Sequence, residues 1–128
     1  MKILAFGTSN NRESINRSLA SYAAAYKNLF DWASRVDKAV FQYKPAVYLS
    51  ASPGPGGAAS VLAAAVASAP YFGAKVIASM SLPDFHNNFD AEAGVVTSTA
   101  AQEQLEQAML MLSEAAHKQN VSERDAAQ

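Results

Sequence analysis

The chain has no cysteine, which removes disulfides, thiolate catalysis and zinc–cysteine sites together. It has only two histidines, His86 and His117, and neither has a carboxylate at metal-ligand spacing. His86 reads as a solvent-exposed loop residue beside Asp84. His117, at the end of the last apolar pattern, reads as a cation suited to a helix C-terminus. Charge of one sign is also lacking. The formal net charge is -1 over 128 residues, so no basic field draws in nucleic acid and no acidic tail is present. No apolar run approaches the roughly 20 residues of a membrane span. Lys2 is followed by only four apolar residues before Gly7, which argues against a signal peptide. There is no nucleophile elbow, no GxGxxG and no Walker loop. These absences leave a soluble, cytoplasmic domain with few candidates for side-chain catalysis and no metal site, in which a bound cofactor would carry any reaction.

What is present begins at Lys2. Ile3 to Phe6 form a short apolar run, fit for a strand buried on both faces. Gly7 ends it, and Thr8, Ser9, Asn10, Asn11 and Arg12 supply hydroxyls, amides and one fixed charge before Ser14 caps a helix. A strand, a small polar loop and a helix N-terminus together favour an anion such as phosphate. An ordinary strand-to-helix turn uses the same residue types. Ile15, Leu19, Tyr22, Tyr26, Leu29, Ala33 and Val36 then recur at spacings of four and three, which predicts one helix from Ser14 to about Asp37. Phe30 and Trp32 lie beside that stripe. Such a helix, about 36 Å long, overhangs a five-residue strand of about 17 Å.

Ala46 to Leu49 predict a second strand with Pro45 at its start. A loop rich in hydroxyls, prolines and glycines follows, Ser50 to Gly57. Glycine there would let the backbone approach a flat ligand closely, although the same residues also simply turn a chain. Ala58 to Ala69 predict a small-residue helix (Val61, Leu62, Ala65, Val66, Ala69) ended by Pro70. Lys75 to Met80 predict a third strand, and Ser81 to Val96 a long loop with a brief strand at Gly94 to Val96. Thr99 and Gln102 suggest a capping box for a last helix, whose stripe is Ala101, Leu105, Ala108, Leu112 and Ala115. Asn120 to Gln128 is polar and expected to fray. Strands alternating with helices argue for a parallel sheet with right-handed crossovers, whose ligand sites lie beyond the carboxyl ends of the strands.

Three segments taken in order resemble the NADPH-dependent FMN reductase family. They are Lys2-Ile-Leu-Ala-Phe-Gly-Thr-Ser-Asn-Asn-Arg-Glu-Ser-Ile-Asn-Arg-Ser-Leu, Tyr26-Lys-Asn-Leu-Phe-Asp-Trp-Ala-Ser-Arg35, and Lys44-Pro-Ala-Val-Tyr-Leu-Ser-Ala-Ser-Pro-Gly-Pro-Gly-Gly57. Ala74-Lys-Val-Ile with Leu82-Pro is similar to the family's fifth strand. The resemblance implies a flavodoxin-like three-layer α/β/α fold with a reduced parallel sheet. It also implies FMN and NADPH as cofactors, a small-molecule electron acceptor (a quinone, a free flavin, an azo dye or a metal oxyanion) and a homodimer. It places Ser9, Arg12, Ser14 and Asn16 around the FMN phosphate. Ser50, Ser52, Pro53, Gly54 and Gly57 fall near the flavin ring or the nicotinamide stacked on it. In domain terms, residues 1–118 form one flavodoxin-like domain and residues 119–128 a polar tail.

One departure is large. The family has a second strand, a second helix and a third strand where Ala23-Ala24-Ala25 here runs straight into Tyr26. The absent piece is on the order of fifty residues, one and a half βαβ units. It includes a loop that faces the flavin ring. A natural deletion, an engineered shortening and a numbering closed over missing residues all produce such a junction. Two functions of different class follow: an FMN-dependent oxidoreductase, or a shortened module that binds FMN or phosphate weakly, or only self-associates, without catalysis.

Overall fold

The computed structural model describes residues 31–126. The chain divides into two units, Met1–Asp37 and Lys38–Gln128. In the first, residues 31–36 are helical, closed by the Asp37 amide donating to the Ala33 carbonyl at 3.0 Å. Of the expected apolar stripe, Ala33 is half-buried but Val36, in the last turn, is exposed and does not join a buried face. Trp32 and Val36 are 69% and 91% exposed, and the Arg35 guanidinium lies 5.1 Å from the centre of the Trp32 ring. The strand expected at Lys2 to Phe6, the loop after it and most of the long helix lie outside the described residues.

The second unit is built on a parallel pair of strands, β1 (Pro45–Ala51) and β2 (Lys75–Leu82). Both outrun their apolar runs, and the reason is shared. Ser50 and Ala51 pair with Ser81 and Leu82, so each strand carries the other's last residues, which composition alone would assign to loops. Between Ala46 and Val47 the register shifts, with Ile77 as the extra residue of β2. Between the strands run helix α1 (Ala59–Ser68) and a turn of 3-10 helix, Ala69–Phe72. Pro70 ends the regular helix as expected. Gly73 then closes the turn at φ 74, where a side chain would also press on Ala39 at 3.0 Å.

The core of this unit is made of small residues. Ala69, Ala74, Leu82 and Ala108 are buried, and among them only Leu82 contributes the roughly 2 kcal/mol of a large apolar side chain. Small side chains let α1 and the last helix lie close against both strands. Val61, on the expected apolar face of α1, is instead 69% exposed; the face that meets the sheet is Leu62, Ala65 and Val66.

The long stretch after β2 has structure of its own. Helix α2 (Phe85–Asn88) leads into a two-residue hairpin, β3 (Phe89–Asp90) against β4 (Val95–Val96). Asp90 builds its turn: Oδ1 accepts from the amides of Glu92 and Ala93, both at 2.9 Å. This is local side-chain turn chemistry. Phe85 stacks on Phe89 at 4.8 Å between ring centres.

Helix α3 (Thr99–Ala126) completes the unit. Its cap is Ser98 rather than Thr99. The Ala101 amide donates to Ser98 Oγ at 3.5 Å, while Gln102 Nε2 reaches back to the Val96 carbonyl at 2.6 Å. The expected stripe is the less exposed face. The polar residues 119–126, expected beyond the helix, form its last two turns. Neither Gly nor Pro interrupts them, and Gln119 Nε2 donates to Glu123 Oε1 one turn on, at 2.9 Å. His117 is thus mid-helix rather than terminal. α3 runs antiparallel to β2, its first half beside Ala78 to Met80 and its second beside Lys75 and Ile77. The described residues therefore form a reduced flavodoxin-like α/β arrangement, a parallel pair of strands with helices packed on it.

Candidate functional site

The two loops at the carboxyl ends of β1 and β2 are joined to each other by backbone. The Ser52 amide donates to the Leu82 carbonyl at 3.2 Å, the Asp84 amide to the Gly54 carbonyl at 3.1 Å, and the Phe85 amide to the Ser52 carbonyl at 3.0 Å. Parallel strands ending in register place their following loops side by side, where the strand amides and carbonyls run out of partners. The two loops thus lie side by side beyond the carboxyl ends of the strands. The third loop, with Ser9, Arg12, Ser14 and Asn16, lies outside the described residues.

Gly57 forms the base of the first loop. Its carbonyl accepts two hydroxyls, Ser50 Oγ at 2.7 Å and Ser81 Oγ at 2.6 Å. It is buried, its φ is 56, and a Cβ there would run into Ser81 Oγ and stand 3.0 Å from the Pro83 nitrogen. The close approach that Gly57 permits is thus to the chain itself. Ser50, expected in the loop, sits in β1 with its hydroxyl committed to this knot. The serine that reasoning from sequence missed is Ser81, whose role depends on a residue 24 positions away.

The tip differs. Beyond Gly54 and Gly56 there is nothing within 4 Å of where a Cβ would stand, and among the described residues neither amide has a hydrogen-bond acceptor. Ser52 Oγ donates to the Gly54 carbonyl at 3.2 Å, which leaves its oxygen free to accept. Pro53 and Pro55 are exposed and hold the tip outward. Across from it stands Asp84, a non-glycine residue at φ 46, whose carbonyl receives the amides of Asn87 and Asn88. His86 and Asn87 are exposed on α2, and Asn88 Nδ2 ties back to the Pro83 carbonyl at 2.9 Å. The arrangement offers a backbone surface without side chains at Gly54 and Gly56, two amide donors and one hydroxyl acceptor, Ser52. It can bind and orient a planar polar ring; it holds no nucleophile with an adjacent base. Among the described residues no group of His, Asp and Glu could hold a metal ion, and no helix is long and apolar enough to cross a membrane.

The fold and these loops define an α/β protein with its candidate site beyond the strand ends. A family model for NADPH-dependent FMN reductases matches residues 19–87, more than half of the chain, and the chain belongs to that family. The match takes in both strands, the glycine loop and the start of α2. It begins after Ser9, Arg12, Ser14 and Asn16. Comparison with curated proteins and with solved structures gave no match.

Proposed function

We propose that this protein is a flavin-dependent oxidoreductase that passes hydride from NADPH by way of FMN to a small-molecule acceptor, a quinone, free flavin, azo dye or metal oxyanion. The observation that carries the reading is the family match across residues 19–87. The loop tip within that segment suits the cofactor: Gly54 and Gly56 leave a face without side chains, on which a planar ring can lie. FMN, when bound, supplies the hydride acceptance and release that no side chain here provides. Gly54 and Gly56 would direct amides at the ring's polar edge, Ser52 would accept a proton-bearing group, and Pro53 would fix the height of the tip. Ser9, Arg12, Ser14 and Asn16 would hold the phosphate. We infer further that the protein works in the cytoplasm as a homodimer.

The test is direct. Purified protein with FMN should be yellow and consume NADPH when a quinone is added. Arg12→Ala should weaken FMN binding by roughly 1.5 to 3 kcal/mol, the worth of a charge-assisted hydrogen bond, with the melting temperature unmoved. Failure to bind FMN or to oxidise NADPH would favour the second reading, a shortened non-catalytic module. That reading draws on the junction at Ala25–Tyr26, where strands that flank the site in the family are missing from the sequence.

A further inference from the structure

We propose that the outer edge of β2 pairs antiparallel with the same edge of a second copy of this chain, joining two sheets across a two-fold axis at Ser79. The inference is independent of the flavin reading. Among the described residues β2 has one strand neighbour, β1, on one side only. An edge strand is ordinarily kept from pairing by being short or by charge, proline or a bulge that turns it away. β2 is eight residues long, and from Val76 to Leu82 it has no charge and no proline. Its irregularity lies near its start, at Ile77, and leaves Ala78 to Leu82 regular.

The direction of the free backbone groups follows from one bond. The Leu82 carbonyl receives the Ser52 amide, so Leu82 turns its polar groups toward β1. Alternation along a strand then turns those of Met80 and Ala78 the same way and those of Ser79 and Ser81 outward. Ser79 is also exposed. With the two-fold at Ser79, the two Ser79 residues exchange both backbone hydrogen bonds.

Charge selects a second copy in this orientation. At the carboxyl end of the edge stands Asp84. At the amino end stands Lys75. Antiparallel pairing brings the acidic end of each copy against the basic end of the other, whereas parallel pairing would set like against like. A two-fold isologous contact is self-complementary in this way. The groove between this edge and the first half of α3, about 510 Å³ and lined by Ala78, Met80, Ala108 and Met111 together with Glu103, Gln104 and Gln107, gives side chains of the second copy a mixed polar and apolar seat beside the backbone pairing.

Because the chain has no cysteine, Ser79→Cys places a single thiol on the axis. A hydrogen-bonded antiparallel pair sets its Cα atoms about 5.5 Å apart, within disulfide reach. Under mild oxidation, or with a short bis-maleimide, full-length Ser79→Cys should give a covalent dimer much faster than Ser60→Cys, an exposed control on α1. By light scattering the unmodified chain should be dimeric, and Ser79→Lys should weaken association by about tenfold or more with unchanged circular dichroism. Lys75→Glu should weaken it as well, and Lys75→Glu combined with Asp84→Lys should restore it. A monomeric unmodified chain, equal cross-linking at Ser60 and Ser79, or a dimer indifferent to Ser79→Lys would each overturn the proposal.

Discussion

The base and the tip of the loop after β1 use the same kinds of residue for opposite purposes. At the base, Gly57 is buried and its carbonyl takes two serine hydroxyls. At the tip, Gly54 and Gly56 face open space and their amides have no acceptor among the described residues. The glycine that fastens two strands, Gly57, directly follows one that is open to a ligand, Gly56. Spacing does not make the difference; the second strand does, because Ser81 and Pro83 reach Gly57 and do not reach Gly54.

The contrast can be broken most severely at the base. Gly57→Val combines a left-handed backbone unsuited to a side chain, about 1–2 kcal/mol, with overpacking against Ser81 and Pro83, about 1–3 kcal/mol. A loss of about 2–5 kcal/mol is expected in denaturant titration, with FMN binding falling only in proportion to the folded fraction.

The knot itself can be taken apart with a double-mutant cycle. Ser50→Ala or Ser81→Ala alone should cost about 0.5–1.5 kcal/mol, since the Gly57 carbonyl keeps one donor. The double variant leaves it with none, so the loss should exceed the sum of the singles by about 1 kcal/mol. Simple additivity would show that the two hydroxyls act apart.

At the tip the readouts should reverse. Gly54→Val meets no neighbour and should leave the melting temperature within about a degree, while lowering NADPH oxidation with FMN by about tenfold or more, or about 1.4 kcal/mol. Equal activity per folded molecule would mean that the tip only turns the chain.

The smallest effect is expected at the junction of the two regions. Ala58 follows Gly57 at φ 60 and caps α1 with no side-chain hydrogen bond. Ala58→Gly relieves about 1–2 kcal/mol of backbone strain against about 0.4–1 kcal/mol of added freedom in the unfolded chain. A net gain of about 0.5–1 kcal/mol should appear as a slightly raised melting temperature.

Elements whose pattern is local were legible in order and kind: β1, α1, β2 and α3, with the apolar stripe of α3 residue for residue. Period and punctuation suffice for these, since Pro70, Gly73 and the 3.6-residue repeat act within a few positions. The ends were less legible, because they rest on partners. Ser50–Ala51 and Ser81–Leu82 become strand by pairing with each other. Residues 119–126 stay helical because nothing breaks them and Gln119 bonds forward to Glu123. Family membership was legible as well, since it lies in the order of motifs along the chain.

The sequence by itself determined that this is an α/β chain of the FMN reductase family, built on small residues. Only the tertiary structure decided which glycine is spent on the fold and which faces outward. It alone also left β2 with a neutral edge carrying opposite charges at its two ends. Both are matters of what a distant strand brings near, and no local pattern of residues records that distance.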